Sequence, residues 1–245
     1  MNVLWILQMK NIHMKIGLTA WCIMAVLACR GQSGYEWRGG DPNGIPKWYM
    51  GRQIAHVMSH FGISWLERPE RQEEEDFEQL LKNMDLKPGV QVADIGAGSG
   101  FHSVRMARRI GTGTVHAVDI EPAMLEFIER RVAREKLLNV RTVLSDTVQV
   151  PLPAGSIDIA LMVDVYHEMS HPREMLRSMH AMLKPGGRIY LVEFRGEDPG
   201  VPIKALHKMT EAQAVREFGA GGFVLERNIG NLPWQHCMVF RKKQL

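Results

Sequence analysis

Seven short apolar runs punctuate this chain from residue 90 onward, at 90–95, 114–119, 140–144, 157–163, 189–194, 223–229 and 236–241. Runs of that length bounded by turn residues predict strands. Between most of them the apolar positions fall three and four apart, the spacing of a helix face. Leu125, Ile128 and Val132 make one such face behind Pro122. Met175, Leu176, Met179, Met182 and Leu183 make another behind Pro172. Thr210-Glu211-Ala212-Gln213 has the form of a capping box, with Val215 and Phe218 behind it. Strand and helix in alternation predict a parallel sheet covered on both faces. The last two strands are separated only by Gly230 to Trp234, too short for a helical crossover. They are therefore expected to pair antiparallel.

Ahead of the first run, Met50, Ile54, Val57, Met58 and Phe61 recur at helical spacing, as do Phe77, Leu80, Leu81 and Met84. Two helices are expected there. The second follows the acidic run Glu73 to Asp76, which suits a solvated helix N-terminus. Residues 30–46, glycine-rich with Pro42 and Pro46, read as a linker. The expected fold class is α/β: a Rossmann-like, doubly wound, seven-stranded sheet, mostly parallel with an antiparallel last strand and helices on both faces.

The N-terminus reads differently. Lys10 and Lys15 precede an uncharged stretch from Ile16 to Cys29, closed by Arg30. That is short for a membrane span, which needs about 20 apolar residues, and suits a signal-peptide core. Val26-Leu27-Ala28-Cys29 resembles a bacterial lipobox, which implies lipidation at Cys29. Met14 opens a signal of ordinary length as well as Met1 does. The division expected is a signal peptide or membrane anchor over 1–29, a linker over 30–46 and one domain over 47–245. An exported protein attached to a membrane on the periplasmic side follows, with a cytoplasmic protein as the alternative.

Composition narrows the chemistry only a little. The chain has 245 residues, a formal charge of +3 and no basic cluster, so charge does not favour nucleic acid. Three cysteines, at 22, 29 and 237, cannot build a disulfide framework and include no C-x-x-C pair.

The richest chemistry lies at the first strand. Val92-Ala93-Asp94-Ile95-Gly96-Ala97-Gly98-Ser99-Gly100 runs an apolar strand into a glycine turn and then a helix. Asp119 ends the next strand, where a carboxylate can accept from ribose hydroxyls. Phe101 stands where a dinucleotide fingerprint has its third glycine, and Asp94 would repel a pyrophosphate but not a cation. The segment D-I-G-A-G-S-G resembles motif I of class I S-adenosylmethionine-dependent methyltransferases. Leu183-Lys184-Pro185-Gly186-Gly187 resembles that family's turn before the fifth strand. The resemblance covers about 46–241 and implies S-adenosylmethionine as cofactor. It assigns the methionine end to Asp94, Gly96, Ala97, Gly98 and Gly100, the ribose to Asp119 and Ile120, and the adenine to Asp146 and Thr147. Asp164, at the end of the fourth strand, completes the cofactor-binding set.

After the fourth strand comes Tyr166-His167-Glu168-Met169-Ser170-His171. It contains H-E-x-x-H, a zinc-protease signature that requires both histidines on one helix face. Pro172 disfavours helical backbone at His171, so a loop is expected and no metal. The histidine resembles the general base of small-molecule O-methyltransferases, which makes His167, Tyr166 and Glu168 the candidate catalytic residues. Capping or lining the loop is the competing role for His167. Glu193, Arg195, Lys204, His207 and Lys208 are further candidates at the sheet edge, and Trp48, Tyr49 and Arg52 form a candidate cover. The activity expected is methyl transfer to a small-molecule acceptor, with O-methylation through His167 as one form of it. An NAD(P)-dependent oxidoreductase and a non-catalytic S-adenosylmethionine-binding protein are the alternatives. With so few cysteines near the site, an arsenite acceptor is not expected.

Overall fold

The computed structural model describes residues 34–243. The proposed signal, its lipobox and the alternative start at Met14 lie outside the described residues.

Three short strands come first: β1 (Tyr35–Trp37), β2 (Gly44–Tyr49) and β3 (Arg52–Ala55) form an antiparallel sheet of their own. Here the structure departs from the sequence reading twice. The expected linker over 30–46 contains β1 and the start of β2, so a boundary at residue 46 falls inside a strand. The expected helix around Met50 to Phe61 is a hairpin followed by irregular chain and a 3-10 turn over His60–Gly62. The cause is local. Met50 and Gly51 both have positive φ, 48° and 89°. That pair reverses the chain between Tyr49 and Arg52, which face each other across the hairpin, as in a two-residue type I′ turn. Methionine is an unusual residue there, so the turn left no ordinary signal in the sequence.

Three helices follow: α1 (Ile63–Leu66), α2 (Arg71–Glu75) and α3 (Phe77–Asn83). Asp76 caps α3, its Oδ1 accepting from the Gln79 amide at 3.1 Å. Then the alternation begins: β4 (Gln91–Ile95), α4 (Phe101–Ile110), β5 (Thr114–Asp119), α5 (Pro122–Arg134), β6 (Val140–Leu144), β7 (Ile157–Val163), α6 (Pro172–Met182), β8 (Leu183–Arg195), a two-residue β9 (Lys208–Met209), α7 (Glu211–Ala220), β10 (Phe223–Asn228) and β11 (Gln235–Lys242). The seven long strands lie in the order β10-β11-β8-β7-β4-β5-β6, with β9 paired to the end of β8. Neighbours are parallel except β11, which runs antiparallel to both β8 and β10. This is the expected doubly wound sheet with its reversed last strand.

Alternate residues of each central strand serve opposite faces. Ala93, Ile95, Ala160, Met162, Ile189, Leu191, Met238 and Phe240 meet Leu176, Met179 and Phe218 from α6 and α7. Val92, Leu161, Tyr190, Val192, Cys237 and Val239 meet Leu80, Met106, Ile110, Leu125 and Ile128 from α3, α4 and α5. Of the expected capping box only the N-cap half forms, with Thr210 Oγ1 accepting from the Gln213 amide at 3.2 Å, while the Gln213 side chain turns to Met50 and Glu217. The chain turns toward β5 and β6 on one side of β4 and toward β7 on the other. Open α/β sheets hold ligands at such a switch point, outside the carboxyl ends of the strands.

Candidate active site

A cleft opens at that point. Its floor is made of Ile95, Gly96 and Gly98 after β4, and of Val163, Asp164 and Val165 after β7. Asp119 and Ile120 after β5 and Ser145, Asp146 and Thr147 after β6 form one side. Val57, Met58, Leu66, Met169 and Met175 supply an apolar lip.

The glycine turn is shaped by close packing. Gly96, Gly98 and Gly100 all have positive φ, 70°, 54° and 72°. A Cβ on Gly96 would lie 2.3 Å from Val165 Cγ2, so the strand-end loops can meet only because no side chain is present. A Cβ on Gly100 would meet Ile128 at 2.9 Å, which gives that residue a packing role. Asp119 Oδ2 accepts from the Gly98 amide at 2.9 Å and Oδ1 from the Glu121 amide at 2.9 Å. Burial raises the Asp119 pKa, and these amides act against the rise.

Asp164 is held in left-handed backbone, with φ 50°. Its Oδ2 accepts from Gln235 Nε2 at 2.6 Å, while its buried Oδ1 has no hydrogen-bond partner within the protein. Burial first, and then the charges of Glu75 and Glu193, push this carboxyl well above the usual carboxylate range. Asp146 spends Oδ1 on the Val148 and Gln149 amides, 2.7 Å each, and so fixes its own loop.

Of the ten residues assigned to the cofactor, Gly96, Gly98, Asp119, Ile120, Asp146, Thr147 and Asp164 line the cleft. Asp94, Ala97 and Gly100 are brought to its foundations instead. Asp94 is buried, its Oδ2 accepting from Ser103 Oγ at 2.5 Å, which ties β4 to α4. Burial above all raises its pKa to about 6.

The loop after β7 sorts its three catalytic candidates. Residues Tyr166–Glu168 form a 3-10 turn. Tyr166 points into the core against Phe218, 5.0 Å between ring centres, and does not line the cleft, contrary to its expected catalytic place. Glu168 does line it. His167 stands behind Glu168, 2 % exposed, with both ring nitrogens engaged. Nδ1 lies 2.6 Å from Glu193 Oε2 and Nε2 lies 3.0 Å from His207 Nδ1. Burial acts to lower the His167 pKa, but the charge and hydrogen bond of Glu193, with the charge of Glu168, outweigh it and the pKa is raised. Burial raises Glu168 to about 7. Burial and the neighbouring His167 lower His207 to about 4.

His171 takes no part in this cluster. As the loop reading expects, it precedes Pro172 with ψ 61°, outside a helix, and its ring meets Tyr35 edge-on at 6.3 Å. Arg52 ties the cover to the loop: its guanidinium donates to the His167 carbonyl at 3.0 Å and makes a two-pronged pair with Glu217. Trp48 and Tyr49 lie in the three-stranded sheet, Arg195 donates to the Leu232 and Pro233 carbonyls, and Lys208 to the Asp198 carbonyl. The apolar lip and the joining of His207 to His167 were not foreseen. The two histidines are forty positions apart, and only the pairing of β9 with β8 brings their segments together.

Residues 92–187 match a family model described as a methyltransferase domain. Among curated proteins, the chain is similar to the ubiquinone/menaquinone biosynthesis C-methyltransferase UbiE of Ectopseudomonas mendocina, 35% identical over 127 residues, 49% of this chain and 47% of that protein. It is also similar to UbiE of Paraburkholderia phymatum, 34% identical over 119 residues, 46% and 47% of the two chains. The chain thus spans about half the length of the curated relatives it matches. Among solved structures, a SAM-dependent methyltransferase from Aquifex aeolicus superposes with a TM-score of 0.71 at 24% identity, over 75% of this chain and 98% of the other. The trans-methyltransferase CalH, in complex with SAH, gives 0.54 at 20% identity, over 64% and 52%. Residues 92–187 thus match a methyltransferase-domain model, and the chain has the fold of solved S-adenosylmethionine-dependent methyltransferases.

Proposed function

We propose that this protein is an S-adenosylmethionine-dependent methyltransferase acting on the oxygen of a small-molecule acceptor. One observation carries the cofactor reading. The cleft is lined by four carboxylates, Asp119, Asp146, Asp164 and Glu168, and, among the described residues, by no lysine or arginine. A pyrophosphate would be repelled there, which counts against a nicotinamide dinucleotide. A sulfonium with a nearby ammonium is attracted, and the unpartnered Oδ1 of Asp164 is a ready acceptor for an ammonium hydrogen. Asp119 supports the ribose and Thr147 and Asp146 flank the adenine.

The acceptor reading rests on the cluster beside the cleft. Transfer of a methyl group needs above all an aligned nucleophile and carbon, and a hydroxyl must also lose its proton. Glu168 faces the cleft, with His167 and Glu193 behind it, so a proton leaving the acceptor has a carboxylate and an imidazole to receive it. Isotope-labelled S-adenosylmethionine incubated with the protein and fractionated small-molecule extract tests the whole reading. A labelled product with an O-methyl group is expected. Label only in carbon-methylated products, or none with any extract, would overturn the oxygen assignment or the activity. His167→Ala is expected to lower turnover by roughly 10²–10⁴-fold with cofactor affinity little changed.

The location belongs to the same proposal. Lipidation at Cys29 would hold the domain at a membrane surface on the periplasmic side. Cys29→Ser should then release the protein from the membrane fraction of a bacterium that processes lipoproteins. A native protein that fractionates as soluble and keeps Met1 or Met14 would place it in the cytoplasm.

A further inference from the structure

The cluster next to the cleft has a geometry that proton transfer alone does not require. His167 Nε2 and His207 Nδ1 lie 3.0 Å apart, and Glu168 Oε1 lies 3.9 Å from each. The point equidistant from these three atoms is about 2.1 Å from every one of them, the length of a zinc–nitrogen or zinc–carboxylate bond. As it stands, the two facing nitrogens share a hydrogen bond that an ion would replace. Glu193 takes up Nδ1 of His167, which leaves Nε2 to face inward. Metal-bound histidines are commonly oriented by such a carboxylate. The Met58 amide donates to Glu168 Oε2 at 3.2 Å, which leaves Oε1 for the histidines. His207 sits in the 3-10 turn Ala205–His207 with its side chain 26 % exposed, so solvent reaches the cluster from that side.

Charge points the same way. Two carboxylates, Glu168 and Glu193, flank the imidazoles, and the nearest guanidinium, Arg52, is already paired with Glu217. Glu168 and Glu193, both buried beside the imidazoles, are placed to balance the charge of a divalent cation. Two imidazoles and one carboxylate are a donor set for zinc and for other divalent first-row metals with open coordination positions.

We propose that His167, Glu168 and His207 bind one divalent transition-metal ion of the zinc class at the edge of the cofactor cleft. The ligands are not those of the H-E-x-x-H string, because residue 207 takes the place that His171 would have filled. The inference deepens the proposed function and rests on it only for its consequence. An ion held by Glu168 beside the cleft can bind the acceptor oxygen and make its hydroxyl acidic, the proton leaving to solvent on the His207 side, and His167 would then serve as a ligand in place of receiving that proton.

The test reads metal binding without any methylation assay. The full chain, stripped with a chelator, is titrated with Zn²⁺ by calorimetry and loaded with Co²⁺ for visible absorption. One equivalent of Zn²⁺ and the intense bands of low-coordinate Co²⁺ are expected. His207→Ala should weaken Zn²⁺ by roughly 100-fold or more, and Glu193→Gln by about 10–100-fold. S-adenosylmethionine affinity, measured in parallel, should stay unchanged in His207→Ala, which shows that the variant is folded. A folded chain that binds S-adenosylmethionine but takes up no stoichiometric Zn²⁺ would overturn the site, as would a Co²⁺ spectrum unaltered in His207→Ala. Metal uptake with no methyl transfer to any acceptor would leave the site standing and remove the proposed activity.

Discussion

Asp119 Oδ2 accepts a hydrogen bond from the Gly98 amide at 2.9 Å, so the acid at the end of one strand fixes the glycine turn at the end of its neighbour. A ligand that binds either group therefore meets the other already in place. Asp119→Ala removes the proposed ribose acceptor and also leaves the Gly98 amide unpaired. Each loss is worth about 1–3 kcal/mol. We expect S-adenosylmethionine to bind at least roughly tenfold more weakly. Calorimetry that returned the wild-type affinity from a folded variant would remove Asp119 from the ribose role.

Gly96→Ala should damage the same turn by a different route. Left-handed backbone costs a residue with a Cβ about 1–2 kcal/mol, and that carbon would press on Val165. Lower stability and weaker cofactor binding are expected together. Adding Val165→Ala makes room for the methyl group and should recover part of both losses. If the double variant binds no better than Gly96→Ala, the crowding against Val165 is not what the glycine relieves.

The buried carboxyl of Asp94 makes a stability prediction with a sign. Its pKa, about 6, lies above the ordinary carboxylate value, and burial is the main reason. Its contribution to folding is thus fully present below about pH 4 and is lost as pH rises through 6. The difference amounts to roughly 3 kcal/mol at neutral pH. Asp94→Asn keeps an oxygen for Ser103 and cannot ionise. Thermal melts of the ligand-free protein should show the variant more stable at pH 7.5, with that advantage gone at pH 4. A difference that does not change with pH would refute the assignment.

Arg52→Ala should be the most destabilising of these changes. It strands Glu217, whose side chain is fully buried, without the two-pronged guanidinium contact, while Gln213 still donates to it. Breaking one side of a buried ion pair costs about 3–5 kcal/mol. Pairing Arg52→Met with Glu217→Gln should restore much of the loss. Equal stabilities for the single and double variants would show that the pair does not set the cost.

How far the sequence reaches depends on what each residue answers to. The seven long strands and the helices at 122–134 and 172–182 were legible because every second or every third-to-fourth residue meets the core. Gly96, Gly98 and Asp119 were legible because one short segment fixes both turn and acid. The hairpin at Met50 and Gly51 was not, since methionine in left-handed backbone gives no warning. Asp94 lies in the motif yet serves the helix behind it. The partnership of His167 with His207 could not be read at all, because it exists only once β9 has paired with β8.

The position of Arg52 also bears on where this molecule can be divided. Strand β3 presents it, helix α7 supplies its carboxylate, and the loop beside the cleft gives it a carbonyl. A cut that kept only the residues after β3 would run through this junction and leave an acid sealed inside with its partner discarded. Residues 34–53 therefore cannot be removed without stranding Glu217. Any rearrangement that trades residues 34–53 for another segment must bring a replacement for one guanidinium, or accept a remainder that holds its shape less well.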